Sequence, residues 1–111
     1  MKWQILNSDT QWKQLLENSK TRTQVIYKHS TRCFTSSLVK GRLEKAQPPL
    51  EIDFYFLDLI TYRSLSDAIA AEMGVRHESP QVLVIQNGVC IYDESHTAIY
   101  MEDIAKHGVR A

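Results

Sequence analysis

The sequence lacks the features that would direct it to a membrane or a nucleic acid. It has no apolar run near the roughly 20 residues that a membrane span needs. Asp9 and Glu17 interrupt the N-terminal region in which a signal peptide would have its apolar core. Thirteen basic residues balance thirteen acidic ones without a basic block, so neither nucleic acid nor an anionic membrane is expected as a partner. We therefore expect a cytoplasmic protein.

Cysteine is scarce, and its placement excludes a disulfide framework. Cys33 and Cys90 are the only two cysteines in 111 residues, and they lie far apart in the sequence. In a reducing compartment both should be free thiols. The composition, 43% hydrophobic and 23% charged, is that of a folded globular protein. With no repeat, low-complexity tract or linker, it predicts a single domain over residues 1–111.

The hydrophobic pattern predicts an α/β fold with the element order β-α-β-α-β-α-β-β-α. Ser8 and Gln11 form a capping box for the first helix, and Asn87-Gly88 between two apolar runs indicates a β-hairpin. The continuous apolar run 52–59 indicates a central strand buried on both faces. The sheet is therefore predicted to be mixed, with helices on both sides. The expected strands span residues 1–6, 24–27, 52–59, 82–86 and 89–92, and the expected helices begin near 9, 33, 64 and 101.

Cys33 is the residue best placed for chemistry. The strand 24–27 leads into a polar loop, the helical pattern starts at Cys33, and Thr31 or Arg32 is expected where that helix begins. The positive end of a helix stabilises a thiolate, and Arg32 adds a full positive charge. Ser36, one turn later, could donate a hydrogen bond to the sulfur but could not form a disulfide with it. Thr31, Arg32 and Ser36 are thus the predicted thiolate-stabilising residues.

Each candidate residue also has a purely structural interpretation. A free cysteine is usually buried, so Cys33 could be a core residue, but its polar flanks favour a reactive thiol. His29 could act as a base for Cys33, although a strand-end histidine with a backbone hydrogen bond is favoured. Cys90, between Val89 and Ile91, is expected in the core. His77 and His107 have no partner at metal-binding spacing and are interpreted as surface residues.

The residues around Cys33 and Pro80 resemble the monothiol bacilliredoxin family, also called YtxJ, within the thioredoxin-like superfamily. The similar segments are Lys28-His29-Ser30-Thr31-Arg32-Cys33 with Ser36, and His77-Glu78-Ser79-Pro80-Gln81-Val82-Leu83, together with Asn87-Gly88 and Ser95-His96. Leu57-Asp58, Arg63 and Leu65-Ser66 match as well. The resemblance extends from Trp3 to about Ile104.

The resemblance implies a monothiol disulfide oxidoreductase. Such a protein reduces mixed disulfides between protein cysteines and bacillithiol, a small thiol that serves as co-substrate, and it holds no tightly bound cofactor and no metal. Cys33 would be the attacking thiol and Pro80 a cis-proline facing it, with Ser79 pairing with the substrate backbone. His96 would either touch the substrate or be an ordinary loop residue.

Two residues depart from the expected pattern. Phe34 replaces the proline that usually follows the cysteine in this family. Tyr27 stands where dithiol thioredoxins carry a buried aspartate, six residues before the cysteine. The proton relay supported by that aspartate is therefore expected to be absent, which is consistent with a monothiol route.

Two other functions remain open at this point. Monothiol glutaredoxins, which carry iron–sulfur clusters, use Cys-Gly-Phe-Ser, but Phe34 removes the space that their glycine provides. A non-catalytic adaptor on the same fold is the other alternative, and an inert Cys33 would indicate it.

Overall fold

A five-stranded sheet separates two layers of helices in the computed structural model, which describes residues 1–110. The predicted α/β class and element order are confirmed, with one additional 3-10 turn at His96–Ala98. The strands are β1 (Gln4–Ile5), β2 (Thr23–His29), β3 (Ile52–Asp58), β4 (Gln81–Gln86) and β5 (Val89–Ser95). The helices are α1 (Asp9–Asn18), α2 (Phe34–Lys45), α3 (Arg63–Met73) and α4 (Met101–Gly108).

The sheet is mixed, in the order β1-β3-β2-β4-β5. Strands β1, β3 and β2 are parallel, whereas β4 is antiparallel to β2 and β5 is antiparallel to β4. Lys28 near the end of β2 pairs with Gln81 at the start of β4. The segment after β2, which holds Cys33, and the segment before β4, which holds Pro80, therefore emerge at the same edge of the sheet.

Each face of the sheet is covered by two helices. On one face, α2 and α4 bury Val39, Leu43 and Ile104 against the sheet. On the other face, α1 and α3 bury Trp12 and Ile69. None of the helices within residues 1–110 is long and apolar enough to cross a membrane.

Three local sequence signals produce the structures that they predict. The Ser8 side chain accepts a hydrogen bond from the Gln11 N–H, and the Gln11 side chain accepts one from the Ser8 N–H, which completes the capping box. Asn87 and Gly88 both have positive φ, 52° and 73°, as the tight hairpin between β4 and β5 requires. Gly74 ends α3 in the left-handed conformation.

The most buried strand is β2, not the apolar run that forms β3. All seven residues of β2 are buried, because β2 has long partners on both sides, β3 and β4. Strand β3 is also interior, but its outer neighbour β1 has only two residues. Because β2 contains the polar residues Gln24 and Lys28, a prediction based on hydrophobicity does not identify it as the most buried strand.

Two helix starts differ from the prediction. The cap of α2 is Cys33 itself, rather than Thr31 or Arg32. Helix α3 begins at Arg63, one residue before the predicted Ser64, and its cap, Tyr62, makes no side-chain hydrogen bond. The loop before α3 is instead held by Asp58, whose carboxylate accepts hydrogen bonds from the N–H groups of residues 60 and 61.

Candidate active site

Cys33 is partly exposed at the start of α2, where the chain leaves the edge of the sheet. Its N–H donates to the Ser30 carbonyl at 3.2 Å, and its carbonyl accepts from the Ser37 N–H at 3.3 Å. The Ser30 hydroxyl in turn accepts from the Arg32 N–H at 3.3 Å. These hydrogen bonds fix the turn before the helix. The thiol of Cys33 is the side-chain group at the N-cap position.

Hydrogen-bond donors of the first helical turn lower the pKa of the Cys33 thiol. The largest cause is the backbone N–H of Ser36, followed by the Ser36 hydroxyl and by the N–H and hydroxyl of Thr35, while partial burial opposes them. These are the N2 and N3 positions, whose N–H groups have no partner inside the helix. Each donor stabilises the negative sulfur more than the neutral thiol. The arrangement favours a nucleophilic thiolate.

Ser36 is held rigidly behind the thiol. It is fully buried, and its hydroxyl oxygen accepts a hydrogen bond from the Ser30 N–H at 3.3 Å. Its carbonyl accepts from the Tyr27 hydroxyl at 2.7 Å. Burial raises the pKa of Tyr27, so this hydroxyl stays protonated and remains a donor. Tyr27 thus anchors the first turn of α2 from the sheet below.

The other two predicted thiolate-stabilising residues lie on the surface. Thr31 and Arg32 are exposed in the loop before α2. The donors that lower the pKa of Cys33 most belong to Ser36 and Thr35, so a role for Arg32 or Thr31 stays a prediction. Thr35 was missed because the helix was expected to begin earlier. Placing the cap at Cys33 would have identified it as the N2 residue.

The segment before β4 forms the second part of the site. The Ser79–Pro80 peptide bond is cis. The Pro80 carbonyl accepts a hydrogen bond from the His96 N–H at 2.9 Å, and His96 has a positive φ of 58°. The His96 ring lies 3.2 Å from the Glu78 carboxylate. The loop after β5 therefore holds the Ser79–Pro80 turn in place through two contacts of His96, one from its backbone N–H and one from its ring.

Ser79 has a buried hydroxyl oxygen with no hydrogen-bond partner within residues 1–110. Neither its predicted pairing with a substrate backbone nor contact of His96 with substrate is tested by these contacts, and both stay predictions. Glu78 was not singled out from the sequence. Its place in the site follows only from the fold, which brings it close to His96, 18 residues away in the sequence.

Two histidines near the site are buried or partly buried. His29 is only 6% exposed, and its Nδ1 has no hydrogen-bond partner in the described part of the chain. The ring packs 5.1 Å from the Phe56 ring; burial and then Lys40 lower its pKa, and a backbone hydrogen bond with Ser36 opposes that shift. His77, expected on the surface, is partly buried with its Nδ1 enclosed. His107 is exposed, as predicted, and stacks on Tyr92.

Cys90 differs from Cys33 in its position in the fold and in the direction in which its pKa is shifted. It lies on β5 opposite Ile85, near the hairpin turn. It is half-buried against the core rather than fully enclosed, and its thiol donates to the Tyr92 carbonyl at 3.4 Å. Burial is the main reason that its pKa is raised. Cys90 is therefore a poor nucleophile next to Cys33.

Lys28 is an unexpected buried charge close to the site. It is fully buried, and its ammonium donates to the Ser66 carbonyl at 3.0 Å. Burial lowers the pKa of this lysine to about 8, with Asp67 opposing the shift and Arg63 adding to it. A single lysine in a strand gives no sequence signal that its side chain points inward. Within residues 1–110, no three metal-ligating side chains cluster into a metal site.

Comparison with solved structures agrees with this geometry. A proposed oxidoreductase with a thioredoxin fold is 30% identical, with 93% of this chain and 90% of that chain covered and a TM-score of 0.81. Thioredoxin of Malassezia sympodialis is 23% identical, with coverage of 97% and 92% and a TM-score of 0.76, and shows the fold alone. The same holds for a mutant thioredoxin from Halobacterium salinarum, at 11% identity, coverage of 96% and 91%, and a TM-score of 0.72.

Fold and site together define a thiol oxidoreductase of the thioredoxin fold. The sequence profile described as "Monothiol bacilliredoxin BrxC" matches residues 4–104. The chain belongs to this family of monothiol bacilliredoxins, as the residues around Cys33 and Pro80 suggested.

Proposed function

We propose that this protein reduces mixed disulfides between protein cysteines and bacillithiol, with Cys33 as the only redox-active thiol. The observation that carries the proposal is the position of Cys33 at the cap of α2, where the groups of Ser36 and Thr35 in the first helical turn lower the pKa of its thiol. Bacillithiol as the small thiol is supported by the family name. A cytoplasmic location, where protein thiols are kept reduced, is part of the same proposal.

The exchange has two steps that balance without another cofactor. The Cys33 thiolate attacks the bacillithiol sulfur of the mixed disulfide, and the protein substrate leaves as a thiolate that takes a proton from water. Cys33 then carries bacillithiol in a mixed disulfide of its own. A second bacillithiol thiolate attacks that bacillithiol sulfur, releases the Cys33 thiolate and leaves with the first as a small disulfide.

Ser36 supports a monothiol route. A hydroxyl at this position can donate to the Cys33 sulfur, but it cannot displace the bound small thiol as a second cysteine would. The exposed side of Cys33 faces solvent, so an external thiol must complete the cycle. Ser79 and His96 are placed in this proposal beside the substrate, at the edge of the sheet that the Cys33 and Pro80 segments share.

The test is a single-turnover assay on a model protein carrying one bacillithiolated cysteine. The wild-type protein should release the free model protein, and intact-mass spectrometry should find the mass of bacillithiol on Cys33. The Cys33→Ser variant should release nothing. A glutathionylated copy of the model protein measures the choice of small thiol. A wild-type protein that gains no adduct would contradict the proposal. An inert Cys33 would indicate an adaptor, and visible absorbance of anaerobically purified protein would indicate an iron–sulfur cluster.

A further inference from the structure

The outer face of the first half of α2 carries two apolar side chains directly beside the reactive thiol. Phe34, the residue after Cys33, is 82% exposed, and Leu38 is 50% exposed. They are four residues apart, so they are neighbours on one face of the helix. The opposite face is the buried one, through Val39 and Leu43. Phe34 therefore contributes little to the packing of the protein, and Leu38 leaves half of its surface in solvent.

The first two turns of this face carry no charged side chain, although Arg32 precedes the helix and Arg42 and Lys45 follow in its last turn. The outward positions of the first two turns are uncharged: Phe34, Ser37, Leu38 and Gly41. Helices α1 and α3, by contrast, carry an ion pair in their first turns, Asp9–Lys13 at 3.1 Å and Arg63–Asp67 at 3.0 Å. In α2 the corresponding pair forms only from Lys40 onward. Contiguous apolar surface is typical of interaction sites, whereas apolar side chains scattered singly need no such explanation, and Phe34 and Leu38 are neighbours.

The position of Phe34 identifies the partner. A disulfide under attack must touch the sulfur of Cys33, so the groups attached to that disulfide lie within a side chain's reach of the next residue. One of those groups is the small thiol, and the other is the substrate polypeptide. A polar small thiol gains nothing from an apolar surface, whereas an apolar side chain flanking the substrate cysteine would leave water on binding.

We infer that Phe34 and Leu38 form a surface that selects substrate proteins carrying an apolar side chain next to their thiolated cysteine. The inference rests on the proposed function and specifies the polypeptide side of its substrate. Phe34 acts here as a specificity-determining residue, because the thiolate is stabilised by other groups, Ser36 and Thr35. The surface contributes binding, and the exchange at Cys33 proceeds as described above.

Two bacillithiolated peptides that differ in one residue test the inference. One carries leucine and the other serine directly after the thiolated cysteine, and the measured quantity is the ratio of their kcat/KM values. The wild-type protein should prefer the leucine peptide by about tenfold, the effect of burying one apolar side chain. Phe34→Ser should bring the ratio close to one, and Leu38→Ser should lower it part of the way.

Leu50→Ser is the matched control. Leu50 is 90% exposed, and it precedes β3, at the edge of the sheet opposite Cys33. The substitution removes the same kind of exposed apolar side chain, so the ratio should stay at the wild-type value. Thermal melting and the pH midpoint of Cys33 alkylation should also be compared, to show that Phe34→Ser leaves the fold and the thiolate intact.

The outcomes separate the inference from the proposed function. A ratio in Phe34→Ser equal to that of the wild type, or a wild-type ratio near one, would overturn the inference while the proposed function stands. A wild-type protein that reduces neither peptide would contradict the proposed function. In that case the inference is tested by binding alone, with affinities of the two peptides measured by fluorescence polarisation. The wild-type protein should bind the leucine peptide about tenfold more tightly than the serine peptide, and Phe34→Ser should bring this ratio close to one.

Discussion

At the scale of single residues, Ser36 connects the reactive thiol to the sheet. Its N–H and hydroxyl favour the Cys33 thiolate, its hydroxyl oxygen accepts from the Ser30 N–H, and its carbonyl accepts from the Tyr27 hydroxyl. A single buried residue thus lowers the pKa of the thiol and also fixes the turn that presents it. Truncating its side chain removes the hydroxyl from both roles and leaves the two backbone contacts in place.

Ser36→Ala should raise the pKa of Cys33. The variant keeps the backbone N–H, which is the largest cause of the lowered pKa, but loses the hydroxyl donor. A hydrogen bond to a charged group contributes about 1.5–3 kcal/mol, so a rise of about one pH unit in the alkylation midpoint is expected. Ser37→Ala is the control, since Ser37 is exposed and contacts Cys33 through its N–H. Equal midpoints for Ser36→Ala and the wild type would show that the hydroxyl does not reach the sulfur.

Lys28 carries its charge into the interior, and the sign of its effect on stability follows from its pKa. The pKa in the folded protein is about 8, lowered from 10.5. Between these values the unfolded chain binds a proton that the folded chain does not, so stability rises as the pH increases through this window. Below it both states are protonated, and the full cost of burying the charge, about 3 kcal/mol by the difference in pKa, is present.

Lys28→Met should therefore stabilise the protein at pH 7. The substitution removes the buried charge and leaves the Ser66 carbonyl without its partner, so a net gain of about 1–2 kcal/mol is expected. The advantage should shrink as the pH rises from about 8 toward 10.5. Urea unfolding of both proteins across this range measures it, and Lys20→Met, at an exposed lysine, should show no such pH dependence. A gap that does not change with pH would mean that Lys28 is not desolvated.

At the scale of elements, the sequence predicts best what is determined locally. The capping box of α1 and the Asn87-Gly88 turn each depend on residues within four positions, and both form as predicted. The start of α3 depends on Asp58, which belongs to the preceding strand, and was predicted wrongly. The cap of α2 was misplaced by one or two residues, and this displacement concealed the role of Thr35.

Glycines at two positions should respond to alanine in opposite directions. Gly41 lies in α2, and an added Cβ there meets nothing within 4 Å, so Gly41→Ala should stabilise the protein by about 0.5–1 kcal/mol through helix propensity. Gly88 has a φ of 73°, so Gly88→Ala should destabilise the hairpin by about 1 kcal/mol or more. Chemical denaturation of both variants checks the pair. A loss of stability in Gly41→Ala would mean that the outer face of α2 is not open to solvent.

At the scale of the whole molecule, the sequence predicts the sheet and the edge at which Cys33 and Pro80 lie. It does not predict which side chains are buried around them. Cys33 and Pro80 were placed correctly relative to the elements because Cys33 lies between β2 and α2 and Pro80 directly precedes β4, all three of which the sequence pattern predicts. Glu78 joins the site only because the sheet brings the loop after β5 to the start of β4. Lys28 and His29 are buried by neighbours on other elements, and a single sequence carries no signal for such contacts.

The same topology determines how far apart the two thiols lie. Cys90 is opposite Ile85, and Ile85 is opposite Gln24 in β2. The end of β2 at His29 is five residues further along, about 16 Å at 3.3 Å per residue, and Cys33 lies beyond it. A disulfide requires Cα atoms within about 7 Å, so Cys90 cannot reach Cys33 without unfolding of the hairpin.

Removing each cysteine in turn should therefore give opposite results. Cys33→Ala should abolish the reduction of a bacillithiolated protein, because no other thiol lies at the cap of α2. Cys90→Ala should reduce the same substrate at nearly the wild-type rate and lose about 1 kcal/mol of stability or less, since only a half-buried sulfur is removed. Single-turnover kinetics and non-reducing mass analysis provide both measurements. An internal Cys33–Cys90 disulfide trapped in the wild type, or a loss of turnover in Cys90→Ala, would contradict the monothiol route, because either result requires the hairpin to bring its thiol across the sheet.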